Sequence, residues 1–191
     1  MAEAAGRPVS KVVSSEDEML ILVDDDDRVV GHLSKGACHD GEGALHRAFS
    51  LFIFNRNGEL LLQRRSPEKR LWPLHWSNSC CSHPREGETM DEAVDRRLRE
   101  ELGLSSDLVF LFKFQYQARY EDVGSENEMC WVYLGIANGP PTANPHEVED
   151  LCWVTVAELD DRINNAPEEF TPWIRLEWPR VRDAFRSNLG L

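Results

Sequence analysis

The stretch WSNSCCSHPREGETMDEAVDRRLREELGL, from Trp76 to Leu104, decides how the rest of the chain is read. Thr89 and Glu92 stand as T-x-x-E, the spacing of a capping box, in which each side chain satisfies the other's backbone N–H. Met90, Ala93, Val94, Leu98 and Leu102 then recur at helical spacing and stop before Gly103. This spacing predicts a helix over 89–102 with one apolar face. Its other edge carries charge of both signs, because Arg97 lies four residues before Glu101 and one turn from Glu100. Alone, such pairs are as often a solvated face with weak ion pairs; an edge of mixed sign is also what a metal beside a phosphate needs.

Outward from this helix the chain alternates between strand and turn signals. Met19–Val23 and Arg28–Leu33 read as a hairpin-like pair of short strands joined by the aspartates 24–27. Residues 34–44, SKGACHDGEGA, read as a glycine-bearing loop with Lys35 and His39, and His46 follows at the mouth of the next strand. Leu45–Phe54 and Glu59–Arg64 flank Asn57-Gly58, a dipeptide that favours a tight hairpin turn, and so read as the strongest hairpin of the chain. After the helix, Leu108–Tyr120, Glu128–Ala137 and Val148–Val154 read as strands, and Val156–Asn164 as a short helix. Strand alternation puts Tyr116 and Tyr120 on one face, and likewise Glu126, Glu128 and Cys130. Thr171-Pro172 opens a last helix carrying Trp173, Ile174, Leu176, Val181, Ala184, Phe185 and Leu189, in which Pro179 predicts a kink. Mixed strands with helices on both faces define an α/β/α sandwich around a mixed β-sheet.

Length and composition set limits. The 191 residues, 41% of them apolar, suffice for one core, here read as a single domain over 19–191 after a mobile tail of residues 1–18. A formal charge of −13 argues against nucleic acid or an anionic membrane as partner. The five cysteines are odd in number and lack C-x-x-C spacing, so neither a disulfide framework nor a zinc finger is indicated. No segment has the apolar run of a signal peptide or a membrane span, and a cytoplasmic monomer acting on a small molecule is the expectation. Residues 56–70 reverse the overall sign: Arg56, Arg64, Arg65, Lys69 and Arg70 oppose only Glu59 and Glu68. Such a basic island suits a small anion.

Chemistry-bearing side chains cluster in the same stretches. His39, His46 and His83 lie in polar or loop contexts, and Glu126 and Glu128 share a strand face. Each alone is more simply a surface residue. Together they would supply three nitrogens and two oxygens, a set suited to Mn, Fe, Zn or, less naturally, Mg. Cys81 beside Cys80 reads by default as a small buried residue, while its place two residues before His83 and near a helix start favours thiolate character. Trp173 is by default core.

The ordered pattern of the central stretch resembles the Nudix box, with Glu88, Arg96, Leu98, Glu100, Glu101, Gly103 and Leu104 in place. It departs at Ser82, where that box has glycine, and at Arg97, where it has glutamate. Losing an acid from a magnesium-gathering cluster weakens a hydrolase reading. A closer resemblance covers about Leu20 to Phe185: SKGACH (34–39), LHRAFS (45–50), LLQRR (61–65) with Lys69 and Trp72-Pro73, WSNSCCSHP (76–84), REELG (99–103), ENEMC (126–130) and FTPW (170–173). In these motifs the chain resembles the type I isopentenyl-diphosphate isomerases, a Nudix branch that moves a double bond and carries arginine at the position of Arg97.

The resemblance implies a Nudix fold and an isoprenoid diphosphate as substrate. It implies His39, His46, His83, Glu126 and Glu128 as metal ligands for a divalent ion (Mn2+, Zn2+ or Mg2+), with Glu101 helping to hold a Mg2+ that bridges the diphosphate. It matches Lys35, Arg65, Lys69 and Arg97 to diphosphate binding, in agreement with the basic island. Cys81 and Glu128 match the acid/base pair, Tyr116 the partner of that carboxylate, and Trp173 the aromatic facing the hydrocarbon. Protonating an alkene gives a tertiary carbocation that water would trap, so a closed pocket with an indole face, worth roughly 2 kcal/mol to a desolvated cation, fits the task. The competing readings are a Nudix hydrolase of a nucleoside or other diphosphate, in which Cys81 is dispensable, and a binding module without turnover.

Overall fold

The computed structural model describes residues 11–189. In chain order the described elements are β1 (Met19–Val23), β2 (Val29–Ser34), α1 (Lys35–Cys38), β3 (His46–Phe54), β4 (Leu60–Arg65), β5 (Trp76–Ser77), β6 (Cys80–Ser82), α2 (Met90–Leu102), β7 (Val109–Tyr120), β8 (Gly124–Ile136), β9 (Val148–Val154), α3 (Val156–Asn165) and α4 (Pro172–Leu189). The helix read from Thr89 is α2. Thr89 Oγ1 accepts from Glu92 N–H (3.3 Å), Glu92 Oε2 accepts from Thr89 N–H (2.9 Å), and Gly103 closes the helix at φ 63°, a left-handed conformation that suits glycine.

Strand β3 is the spine. It runs parallel to β8 in unbroken register from His46↔Glu128 to Phe54↔Ile136, and takes β6 antiparallel over Phe49–Leu51. Strand β7 pairs antiparallel with β8, β1 pairs with β2, and β4 pairs antiparallel with β9 and β5. One parallel pairing among antiparallel ones makes the sheet mixed. Alternation along β3 supplies both faces. Phe49, Leu51 and Ile53 pack with Leu61 and Tyr133 beneath Ala93, Val94, Leu98 and Leu102 of α2. Phe52 and Phe54 pack with Leu62, Val132 and Leu134 beneath Leu159 of α3 and Trp173, Ile174, Trp178, Val181 and Phe185 of α4. Helices thus cover both sides, as the patterning predicts.

The predicted β3–β4 hairpin is corrected by the structure. The turn forms, with Gly58 at φ 77° and its N–H donating to Asn55 O at 3.1 Å, yet the strands pair only at Phe54↔Leu60. The segment before β6 wedges them apart: Ile53 N–H donates to Ser79 Oγ (2.8 Å), Ser79 Oγ donates to Leu61 O (2.7 Å), and Asn78 Nδ2 donates to Leu51 O (3.2 Å). Turn chemistry fixes the reversal but not which edge each strand then uses. The loop predicted over 34–44 contains the short helix α1, too brief to leave an apolar period in sequence. Helix α4 carries Pro179 inside it and continues helical to Leu189.

Of the predicted tail, residues 1–10 lie outside the described range. Residues 11–18 are laid against the domain: Val13 O accepts from Arg97 Nη1 at 3.0 Å and Arg85 Nη2 at 3.1 Å, and Lys11 O accepts from Asn144 Nδ2 at 2.9 Å. No helix of the described residues is long and apolar enough to cross a membrane.

One core position of α4 is a carboxyl. Glu177 is fully buried against Cys130, whose thiol donates to its Oε1 at 3.4 Å, and burial pushes its pKa up to about 8 despite the bonds from Ser50 and Cys130. Between an unfolded value near 4.5 and about 8 the folded state holds a proton that the unfolded state has lost, so stability falls as pH rises through this window. Glu177→Gln is expected to gain stability relative to the wild type as pH rises from 5 to 8, on the order of a few kcal/mol at the upper end. Urea titrations across that range check this, and parallel pH curves for the two proteins would contradict it.

Candidate active site

Three histidines from three segments meet. His39 closes α1, His46 opens β3, and His83 follows β6; their ring centroids are 4.8–5.4 Å apart. With Glu126 of β8 they form a cluster in which one ligand atom from each residue lies within 4.8 Å of the others. The β3–β8 register carries Glu128 to the same place, with its Oε1 3.0 Å from His83 Nε2 and 3.9 Å from His46 Nε2. Gly124 allows β8 to come this close: a Cβ there would collide with His39 O, the acceptor for Ser125 N–H at 3.0 Å.

The state of these groups is that of a ligand set. His46 Nδ1–H donates to Ala44 O at 2.7 Å, which leaves the Nε2 lone pair facing the cluster. Burial and then the His39 charge lower the His46 pKa to about 4, and burial followed by His46 and His39 holds His83 well below the usual histidine range. Both rings are therefore neutral. His39 Nε2 and Glu126 Oε2 stand 2.9 Å apart, at ion-pair distance, and these two atoms and His46 Nε2 are buried without a hydrogen-bonded partner among the described residues. Buried polar atoms left unbonded are costly. A divalent ion among them removes that cost, and the donor set fits one. Of the two carboxyls, Glu128 is the one pushed well upward, by burial and then by the Glu126 charge, while it accepts from Tyr116 Oη–H at 2.7 Å.

Beside the cluster lies a cavity of about 260 Å³ whose wall includes Lys35, Arg65, Lys69, Cys81, Arg97, Tyr116, Glu128 and Trp173. The basic island of the sequence divides: Arg65, Lys69 and Arg70 face this cavity, and Arg56 and Arg64 do not. Arg65 is pinned by Trp72 O (3.0 Å) and Leu71 O (2.9 Å), in a loop where Trp72 takes φ 46°, a conformation that costs a non-glycine residue about 1–2 kcal/mol. Lys35 donates to Ser14 Oγ at 2.5 Å, and burial followed by the Lys69 charge lowers its pKa. Arg97 is buried between Glu101 and Glu147, which both accept from its Nη2, while its Nε has no partner among the described residues. Lys69 also donates to Glu147.

Trp173, from the first turn of α4, is core and cavity wall at once. Its Nε1–H donates to Ser77 Oγ (2.9 Å) and Asn78 Oδ1 (3.1 Å), and Arg65 Cζ stands 5.2 Å from its ring centre. The expected thiolate character of Cys81 is overturned. It sits on β6, and burial, only partly opposed by Arg65, pushes its pKa up to about 12. At neutral pH it is a thiol. The predicted residues are thus drawn to one cavity, with His46 and Glu101 buried behind its wall. Residues 12, 14 and 16, together with Glu68, His146 and Glu147, line it without having been singled out from sequence. The only trace of Glu147 there is its place just before a strand whose first residues include Glu149 and Asp150.

Comparison with known proteins agrees with this geometry. The NUDIX domain family model matches residues 44–174. An isopentenyl-diphosphate Delta-isomerase 1 of Photorhabdus laumondii is 44% identical over 86% of this chain and 94% of its own, and an isopentenyl-diphosphate Delta-isomerase of Serratia proteamaculans is 45% identical over 82% and 87%. Among solved structures, a protein of Deinococcus radiodurans superposes with a TM-score of 0.64 at 28% identity, over 78% of this chain and 90% of that one. The chain belongs to the Nudix family and, within it, to the isopentenyl-diphosphate Delta-isomerases.

A cluster with three orphaned polar atoms should be stabilised by an ion that binds only the folded chain. At a hundredfold excess over its dissociation constant, a divalent transition-metal ion is expected to raise Tm by about 5–10 °C, reversibly with EDTA. Differential scanning calorimetry checks this, and the increment should vanish in a His39→Ala, His46→Ala double variant.

Proposed function

We propose that the chain interconverts isopentenyl diphosphate and dimethylallyl diphosphate by protonation and deprotonation through a tertiary carbocation. The observation that carries this reading is the joint placement of two proton-carrying groups, the Cys81 thiol and the Glu128 carboxyl, with the Trp173 ring on the wall of one cavity beside buried cations. Moving the double bond requires a proton delivered to the terminal methylene and another taken from the carbon on the far side of the cationic centre. Two carriers on the cavity wall can serve the two steps, and reversibility makes them exchange roles between directions.

In this reading Lys35, Arg65, Lys69 and Arg97 bind the diphosphate. Tyr116 orients Glu128 through its 2.7 Å hydrogen bond. Trp173, fixed by its two indole hydrogen bonds, presents a π face to the carbocation and offers no nucleophile. Leu71 and Trp173 give the cavity its apolar wall, against which the hydrocarbon would lie. His39, His46, His83, Glu126 and Glu128 would hold one divalent ion, Mn2+, Zn2+ or Mg2+, and Glu101 would help hold a Mg2+ for the diphosphate. When bound, these ions supply positive charge that keeps a carboxyl ionised and neutralises the phosphates. The activity belongs to a single domain over 19–191, acting as a cytoplasmic monomer on a small molecule.

Hydrolysis is disfavoured by the local chemistry: Arg97 stands among the acids, and Arg96 and Arg97 both engage Glu100. Proton NMR of isopentenyl diphosphate with the metal-replete protein in deuterated water is expected to show deuterium-labelled dimethylallyl diphosphate and no phosphate or pyrophosphate. Release of either anion would make the chain a hydrolase. Cys81→Ala is expected to lower kcat by about 10²–10⁴-fold, and a fully active variant would remove Cys81 from the mechanism.

A further inference from the structure

We propose that Glu147 is an internal stand-in for the diphosphate: it holds Lys69 and Arg97 while the cavity is empty and gives them up when the anion arrives. This rests on the diphosphate-binding role given above to those two cations. Lys69 comes from the loop after β4 and Arg97 from α2, and one oxygen of Glu147, Oε2, accepts from both, at 3.1 Å from Arg97 Nη2. The carboxylate is itself buried, at 2% exposure, and lies on the cavity wall. Its backbone is fixed on both sides, since Glu147 N–H donates to Asn144 O (2.9 Å) and Glu147 O accepts from Ser66 N–H (3.0 Å), the residue whose carbonyl receives Lys69 N–H (3.2 Å). Glu147 and the loop bearing Lys69 are therefore tied together through the backbone.

The physical need for such a group follows from burial. The Arg97 side chain is 3% exposed, and a buried guanidinium deprived of acceptors is strongly destabilising. Glu101 answers part of that charge, yet Arg97 Nε remains buried without a partner among the described residues, so the protein's own acceptors do not exhaust the guanidinium. A diphosphate reaching the cavity would meet the same donors that Glu147 holds. Two anions at one pair of cations repel each other. Glu147 thus opposes the bound diphosphate and replaces it on departure, which sets affinity low enough for product, bearing the same anionic group as substrate, to leave. Glu147 is a positioning residue in this scheme; it acts through Lys69 and Arg97.

Isothermal titration of the full chain with inorganic pyrophosphate in EDTA tests this without turnover. Glu147→Gln keeps the volume and the backbone bonds and removes only the charge. It is expected to bind pyrophosphate about tenfold more tightly than the wild type and, in the metal-replete isomerase assay, to lower KM for isopentenyl diphosphate by a similar factor. A residue that merely organised the cations would give the opposite sign: unchanged or weaker pyrophosphate binding, or a KM unchanged or raised, overturns the proposal. Should Glu147→Gln fail to fold, the wild type supplies the second readout. The carboxyl carbon-13 resonance of Glu147 is expected to shift as pyrophosphate saturates the site, and a stationary resonance overturns the proposal. Tighter pyrophosphate binding by the variant of a protein that does not isomerise would sink the proposed activity and leave the role of Glu147 standing.

Discussion

The parallel pairing of β3 with β8 is the constraint on which the rest depends. Its register puts His46 opposite Glu128, and continuing it to Phe54↔Ile136 fixes which residues of both strands face α2 and which face α4. A slip of one residue would turn Phe49, Leu51 and Ile53 to the wrong layer and carry Glu126 and Glu128 away from the histidines. The apolar demand of two helical layers therefore holds the geometry of a polar site. The same strand also receives β6 on its other edge, with Ser50 opposite Cys81, so the thiol and the carboxyl are referred to one backbone.

Around this frame the site is built from buried charge with few free partners. On one side, His39, His46, His83 and Glu126 crowd together with buried donor atoms left unbonded. On the other, Lys69 and Arg97 are balanced by Glu101 and Glu147. Each half is costly to bury alone, because desolvation of an ion is recovered only through close partners. Both halves are consequently poised to accept a counter-ion, a cation in one case and an anion in the other. That complementarity suits a diphosphate whose hydrocarbon lies against Trp173 on the wall of the same cavity.

Much of this was legible in the residues. The capping box at Thr89, the stop at Gly103, the Thr171-Pro172 start of α4 and the alternation of β7 and β8 are short-range signals, and they appear in the structure within a residue or a few of where the pattern puts them. The residue types that line the cavity were visible for the same reason: histidines, paired glutamates and a basic island stand out in an acidic chain. Glu147 did not stand out, because a glutamate in an acidic run carries no local mark of the cations it will meet.

The sequence by itself determined the segments, their apolar faces and the inventory of candidate ligands and candidate proton carriers, since propensity, capping and periodicity act over a few residues. Tertiary structure alone decided the pairing of edges and the state of the groups. The Asn57-Gly58 turn formed as its chemistry dictates, yet Ser79 and Asn78 took the hydrogen bonds that a β3–β4 hairpin would have used. Cys81 became a high-pKa thiol because burial, a property of the folded whole, outweighed the charge beside it. Which backbone groups compete for an edge, and how much water reaches a side chain, are fixed only when segments distant in sequence are packed together.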